Sequence, residues 1–340
     1  MSMRLWLTTL AIVVTGGVPM AAQADDPGLY HPPGMRVWDF WFARADDAYH
    51  AFYLQQPAGE GEFVGYPQVG HAASTDLVHW ADQGPALTAL RNTWNDVAIA
   101  TGSTVSHAGK WWMVFTGWST TDGGVGLAVS DDLMRWRKVG DAPIVPSSRR
   151  FDATWEGRPL QWRIFADPYV YPEPIDGWFY MVINAGVLDA PLAQRGCIAT
   201  LRSRDLLTWE PSGIIAYPEW FERMETPQLW QRNGRWYLYF GGAHDSGVPE
   251  AFTAVTGVTG QVVRGDYVFT AERFEGPYLP TGKWRLEVPT GGRYSYIVKV
   301  LPGPDGQDAL LTAQEGKLSP PYRVTYAADG SLVIAAPAPR

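Results

Sequence analysis

STDLVHW at Ser74–Trp80, SDDLMRW at Ser130–Trp136 and SRDLLTW at Ser203–Trp209 are three copies of one phrase, Ser-x-Asp-Leu-x-x-Trp. Internal repetition fixes an architecture before any local reading does, because each copy marks the same place in a recurring unit. Each copy follows an apolar, strand-like run (GHAA, VGLAV, CIATL) and leads into a loop with a small residue or proline (QGPAL, GDAPI, PSGII). The phrase therefore reads as one corner of a repeating β-unit.

A second element interleaves with it: a turn bearing Gly, Asp or Asn, then an aromatic-rich alternating strand. Its five copies are Asp46–Leu54, Gly109–Gly117, Asp176–Ala185, Asn233–Gly242 and Asp305–Thr312. Asp-Gly or Asn-Gly between apolar runs is the strongest short hairpin signal, so each copy reads as the second strand of a hairpin. The units recur at about 55 to 75 residues, room for a four-stranded antiparallel sheet each. No long amphipathic helix interrupts the pattern, and only short stretches such as Trp220–Met224 look helical. The pattern predicts an all-β fold, a five-bladed β-propeller of four-stranded antiparallel blades, with the hairpin Tyr322–Ala335 completing the last blade. A pair of β-sandwiches is the rival, and radial repetition explains the regular recurrence more simply.

Composition narrows the class. Residues 1–24 carry an early Arg, an apolar stretch through Val14 and the small-residue pattern Ala22-Gln23-Ala24, which reads as a secretory signal peptide cut after Ala24. A buried N-terminal strand or helix is the alternative. The remainder, 25–340, reads as one propeller domain, and the destination as periplasmic or secreted. Cys197 is the single cysteine, so no intrachain disulfide and no cysteine metal site are expected. The net charge of -8 and the scattered basic residues argue against nucleic acid or an anionic membrane as partner. A neutral ligand fits better.

Three acidic residues stand at nearly the same distance from the second strand of their unit. Asp39 lies ten residues before Tyr49, Asp167 eleven before Trp178 and Glu225 eleven before Trp236. In a propeller the innermost strands line the central channel, so equivalent positions converge at one mouth although far apart in sequence. Each acid sits in an apolar or proline-marked phrase: Trp38-Asp39-Phe40-Trp41, Phe165-Ala166-Asp167-Pro168 and Met224-Glu225-Thr226-Pro227. Burial and like charges raise carboxyl pKa values, which lets one site hold an ionised carboxylate for attack and a protonated one for donation. Singly, Asp167-Pro168 is also a common turn starter, Asp39 an edge charge and Glu225 a cap.

These phrases resemble glycoside hydrolase family 32 of the β-fructofuranosidase clan, with families 68 and 43 more distant, over roughly Tyr30–Thr312. The stretch Gly70–Trp80 resembles the signature after the first blade, Phe165–Pro168 the Arg-Asp-Pro motif, and Met224–Pro227 the Glu-Cys-Pro motif. The resemblance implies a glycosidase with Asp39 as nucleophile, Glu225 as general acid/base and Asp167 as transition-state stabiliser. It further implies a retaining double displacement without metal or organic cofactor. There are departures. Val37-Trp38-Asp39-Phe40-Trp41 replaces Asn-Asp-Pro-Asn-Gly, Ala166 replaces the motif arginine, and Thr226 replaces the cysteine. No β-sandwich is expected after the propeller.

Further pocket candidates follow from position. Asn95 and Asp96 precede the inner strand of the second unit, and a turn role fits them equally well. Arg163 could replace the missing arginine or lie in a surface ion pair. Tyr294, with Ser295, holds the corresponding place in the fifth unit. Trp38, Trp41 and Trp94 could stack on a sugar or serve in the core. Gln55 and Gln56 could bind hydroxyls or cap a loop. His71 reads as structural and His79 as a surface position. The leading reading is hydrolysis or transfer of β-fructofuranosyl units from an oligo- or polysaccharide such as levan or inulin. An arabinanase-like or other furanosidase or galactosidase on the same propeller is one alternative, and a catalytically silent carbohydrate-binding propeller is another.

Overall fold

The computed structural model describes residues 28–59, 68–121, 123–260 and 263–336. The leader-like segment 1–24 lies outside the described residues. Five antiparallel sheets follow one another along the chain. The first blade is Met35–Ala45 (β1), Ala48–Pro57 (β2), Gln68–Ser74 (β3) and Ala81–Thr88 (β4). The second is Ala98–His107 (β5), Lys110–Trp118 (β6), Gly123–Ser130 (β7) and Arg137–Lys138 (β8), with Val145–Pro146 (β9) also on β7. The third adds a strand, Arg150–Trp155 (β10), before Arg158–Val170 (β11), Phe179–Val187 (β12), Gly196–Ser203 (β13) and Glu210–Ala216 (β14).

The fourth blade is Arg223–Arg232 (β15), Arg235–His244 (β16) and Val263–Ala271 (β17), with single bridges from Tyr267 to Arg285 and Thr270 to Leu279 in place of a fourth strand. The fifth is Ser295–Pro302 (β18), Asp308–Gln314 (β19), Lys317–Leu318 (β20), Tyr322–Tyr326 (β21) and Leu332–Ala335 (β22). All five aromatic segments become strands, the second of their sheet in four blades and, behind the added β10, the third in blade three. The four-stranded plan thus varies from blade to blade. One α-helix, Glu250–Thr256 (α1), departs from the sequence reading, anchored by fully buried Phe252 and ended by Gly257 at φ 70°. Trp220–Met224 is not helical, since Arg223 and Met224 already pair with Ala243 and Gly242.

The core is five apolar layers, each between two successive blades. Trp41, Phe52 and Leu54 meet Ile99, Met113 and Phe115 between the first and second. Val105, Val125 and Leu127 meet Trp162, Met181 and Leu201 between the second and third. Val182 and Ile198 meet Leu229, Leu238 and Phe240 in the next layer, followed by Tyr237 and Tyr239 against Val298, Val300 and Leu310. Val37, Tyr49 and Tyr53 against Leu301, Leu311 and Leu318 close the ring. Each blade is buried on both faces, so its middle strands read as nearly continuous apolar runs rather than strict alternation. Tyr30 joins the last blade from the N-terminal side, exchanging backbone hydrogen bonds with Leu318 at 2.8 and 2.7 Å.

The repeated phrase is the corner that leads from β3 to β4, from β7 to β8 and from β13 to β14. In each copy the Ser Oγ accepts from the backbone N–H of the Asp, and the Asp Oδ1 accepts from two further N–H groups, as at Val78 and His79, both 2.8 Å. The Leu has positive φ every time, 63°, 62° and 65° at Leu77, Leu133 and Leu206. This conformation is strained for leucine, and each side chain is fully buried, which holds it there. Ser203 Oγ also accepts from Leu206 N at 2.9 Å. Ser203→Ala should therefore lower unfolding stability by about 1–2 kcal/mol, read from the urea midpoint, with the denaturant slope unchanged.

Candidate active site

The inner strands β1, β5, β11, β15 and β18 share one irregularity. Regular pairing breaks between Trp38 and Trp41, Ala100 and Gly102, Ala166 and Tyr169, Glu225 and Gln228, and Tyr296 and Val298. A β-bulge bends its strand, re-aims its side chains and leaves a residue unpaired. In four of the five strands the bulged residue has positive φ: Asp39 at 50°, Asp167 at 61°, Thr226 at 47° and Ile297 at 69°. Asp tolerates this region, whereas for Thr and Ile it stores on the order of 1–3 kcal/mol of strain each.

Side chains near the channel take up the amides that the bulges free. Asp167 N donates to Thr116 Oγ1 on β6 at 2.8 Å, Thr226 N to Asp167 Oδ2 at 3.0 Å, and Ile297 N to Asp266 Oδ1 on β17 at 2.8 Å. Thr101 Oγ1 in turn donates to Asp39 Oδ2 at 2.7 Å. Asn184 hydrogen-bonds Asp167, and its Oδ1 accepts from Met224 N at 3.3 Å.

Asp39 and Asp167 occupy the same slot in their strands. Glu225 does not: it stands one residue earlier, level with Trp38, Ala100, Ala166 and Tyr296, while Thr226 holds the slot of the two aspartates. The common register read from the spacing is thus one residue out in the fourth blade, where the ten residues that separate Asp39 from Tyr49 lead back from Trp236 to Thr226. The structure still brings the three carboxyls into mutual electrostatic contact. Burial, then Asp167 and Glu225, raise the Asp39 pKa to about 7, against the Thr101 hydrogen bond and Lys299. Burial and Glu225 raise Asp167 to about 6, moderated by Thr226 N–H, Lys299 and Asn184.

Glu225 is held differently. Arg223 Nε donates to its Oε1 at 2.7 Å and Tyr296 Oη to its Oε2 at 2.6 Å. Arg223 also pairs with Asp245, which Arg264 approaches at 3.2 Å. Burial and the Glu225 carboxylate push the Tyr296 phenol up, so it remains a donor. The glutamate is therefore fixed by two donors, while the aspartates share a crowded slot with each other's charge.

The other candidates divide. Tyr294, 58% exposed, stacks on Tyr296 at 6.5 Å and so presents an exposed ring near the partner of Glu225. Trp38 is half-buried under the Arg36 guanidinium at the bulge. Trp41 is a correction: at 2% exposure it stacks on Phe52 and donates to Thr104 Oγ1 at 3.2 Å. The bulge at Asp39 and Phe40 shifts the alternation and turns it into the layer between blades one and two. Gln55 is another, buried with its amide on Gln68 Oε1 at 3.2 Å.

Asn95 is fully buried, its Oδ1 accepting from Thr93 and Lys138, whereas Asp96 is exposed. Both belong to the loop before β5, and no contact joins them to the acids among the described residues. Arg163 is exposed, over the Phe165 ring at 5.2 Å, with Arg195 at 4.8 Å from the same ring. It enters no ion pair among the described residues. His71 is structural, bonded to His50 at 2.9 Å and stacked on Phe52 at 4.6 Å. Burial pushes the Cys197 thiol up, as suits an inert core position. Arg223, Asp266, Tyr296 and Lys299 were not legible as site residues. A charge inside the apolar run Ile297-Val298-Lys299-Val300-Leu301 was the available signal for Lys299.

Comparison with known proteins gives a consistent group. Residues 41–234 match the model of the glycosyl hydrolases family 32 N-terminal domain, which takes in Asp167 and Glu225 and begins just after Asp39. Sucrose-6-phosphate hydrolase of Escherichia coli is 28% identical over 211 residues, 59% of this chain and 39% of that protein. Raffinose invertase of Escherichia coli is 29% identical over 178 residues, 50% of this chain and 33% of that protein. The chain thus spans well under half of the curated relatives it matches. Among solved structures, the Bombyx mori β-fructofuranosidase superposes with a TM-score of 0.64 at 17% identity, covering 90% of this chain and 65% of that one. The Halalkalicoccus jeotgali inulosucrase bound to kestose gives 0.67 at 18%, covering 93% and 89%.

The buried acids make stability depend on pH. Asp39, Asp167 and Asp266 have folded-state pKa values of about 7, 6 and 7, above the unfolded value of roughly 4. The fold favours their neutral forms, so this contribution is complete below about pH 4 and is lost as pH rises through 6 to 7. Asp39→Asn should raise the melting temperature at pH 8, by about 2–4 °C per kcal/mol relieved, and change it little at pH 4. Equal shifts at both pH values in thermal melts would rule out the carboxylate charge as the cause.

Proposed function

The chain belongs to glycosyl hydrolase family 32, and from this we propose that it cleaves or transfers β-fructofuranosyl units of a sucrose-type or fructan substrate. The observation that carries the reading is the arrangement of the three acids: Asp39 and Asp167 in one deep slot, with Glu225 one residue towards the strand N-terminus under Arg223 and Tyr296. Asp39 attacks the anomeric carbon, and Glu225 gives its proton to the leaving oxygen. Water, deprotonated by Glu225, then releases the sugar with retained configuration. Asp167, fixed by Thr226 N–H and Asn184, accepts hydrogen bonds from sugar hydroxyls as positive charge develops on the ring. Tyr294 offers an aromatic face at the entrance.

The leader-like segment 1–24 supports action in the periplasm or outside the cell. The names of the relatives support a fructose-containing substrate, and the match to about two fifths or less of the curated proteins leaves its identity to experiment.

Incubation with sucrose, raffinose, levan, inulin and arabinan tests the reading. Fructose should be released, with kcat/KM falling by at least about 10³ in Asp39→Asn and by about 10²–10⁴ in Glu225→Gln. Mass spectrometry of a quenched Glu225→Gln reaction should find a fructosyl group on the Asp39 peptide. Arabinose release would replace this substrate class, and sugar binding without turnover by the parent would replace the enzyme with a binding propeller.

A further inference from the structure

Lys299 is the charged side chain that the mechanism above leaves without a task. It lies on β18, two residues past the Ile297 bulge, and is 5% exposed. Its Nζ donates to the carbonyl of Thr226 at 2.5 Å, with Pro227 O at 3.5 Å. Thr226 is the strained bulge residue whose N–H holds Asp167 Oδ2. A single residue thus meets the ammonium through its carbonyl and the carboxylate through its N–H, on the two peptide units that flank its Cα. The groups facing this centre come from every inner strand. Asp39 enters from β1, Asp167 from β11, Glu225 from β15, Asp266 from the neighbouring β17 and the Tyr296 phenol from β18, while β5 gives only the Thr101 hydroxyl. Among the described residues no group of three or more His, Cys, Asp or Glu side chains is arranged to hold a metal ion. Arg223 and Arg264 lie towards Glu225, and among the described residues Lys299 is the cation whose charge acts on Asp39 and Asp167.

We propose that Lys299 is a positioning residue: its ammonium clamps the Thr226 bulge that orients Asp167, and supplies the counter-charge that keeps Asp39 and Asp167 anionic. A buried ammonium without carboxylates is unfavourable, and so are buried carboxylates without an ammonium; together they sustain each other. The energetics agree. Burial lowers Lys299 to about 8 against the pull of Asp167, Asp39 and Asp266, and Asp39 ionises at about 7. The charged pair is therefore fullest in the narrow interval between these values, and these coupled groups titrate as a set. In chemical terms, the lysine sets the acid limb of activity without touching the substrate.

The inference rests on the glycosidase reading for its kinetic arm only. In Lys299→Met the acid limb of kcat/KM on the best substrate should move up by a pH unit or more. The loss should then exceed tenfold at pH 6 and shrink towards pH 8, and Lys299→Arg should restore the limb. A uniform loss across pH, with the limb unmoved, would reduce Lys299 to packing and overturn the proposal. The second arm needs no substrate: urea midpoints of the parent, Lys299→Met, Asp39→Asn and the double variant at pH 5 and pH 8. Lys299→Met should be more damaging at pH 8 than at pH 5, and Asp39→Asn should recover part of the loss. Equal damage at both pH values, or no recovery, refutes the counter-charge. If Lys299→Met alone does not fold, the double variant and Lys299→Arg decide by the same comparison. An inactive parent with the coupled stability pattern would sink the glycosidase reading and leave the charge pairing standing.

Discussion

Every inner strand must break its own ladder at one level, and the hydrogen-bonding groups released there have to find partners elsewhere. A buried N–H without an acceptor costs on the order of 1–3 kcal/mol, so the bulges can exist only where side chains close by accept from them. Thr116, Asp167 and Asp266 do so for Asp167, Thr226 and Ile297. Asp167 is both a bulged residue and the acceptor for the next blade's bulge. Structural and chemical demands therefore fall on the same atoms, and the acids of the pocket are also fasteners between blades.

The two-sided burial of the sheets gives that arrangement its electrical character. Apolar layers on both faces of each blade leave the channel few polar neighbours, and opposed charges in such surroundings interact far more strongly than in water. Asp39, Asp167 and Asp266 are accordingly hard to ionise. Glu225, one residue further out, is instead gripped by a guanidinium and a phenol. A single residue of displacement along a strand thus separates the surroundings of Glu225 from those of the two aspartates.

The parts of this design that were legible in the sequence are those that repeat. The aromatic second strands announced themselves through Asp-Gly and Asn-Gly turns, and Asp39 and Asp167 stood out through their similar distance from those strands. Glu225 was found but misregistered, since spacings of ten and eleven residues were read as one register. Trp41 could be read as a sugar platform or a core residue, and the bulge at Asp39 and Phe40 decides for the core. Lys299 was passed over because a lone lysine between valines resembles an ordinary strand charge. Arg223 and Tyr296 matter only through Glu225, and the pairing of Tyr296 with Glu225 across 71 residues is invisible until the blades are assembled. Helix α1 was missed for a simpler reason: seven residues are too few to show a period.

The strap at Tyr30 carries a consequence for how the molecule is made. Its partner Leu318 and the adjoining layer of Val37, Tyr49 and Tyr53 belong to opposite ends of the described chain. Contacts so distant in sequence form late, because the intervening chain must be ordered before closure becomes favourable. During synthesis the first blade therefore waits with one face uncovered until the fifth has emerged. An unclosed ring of this kind exposes an apolar layer and offers the protein a hazard of mispairing with another chain. Holding the newborn first blade apart from its neighbours would thus be a requirement of biogenesis, set by geometry long before any sugar arrives.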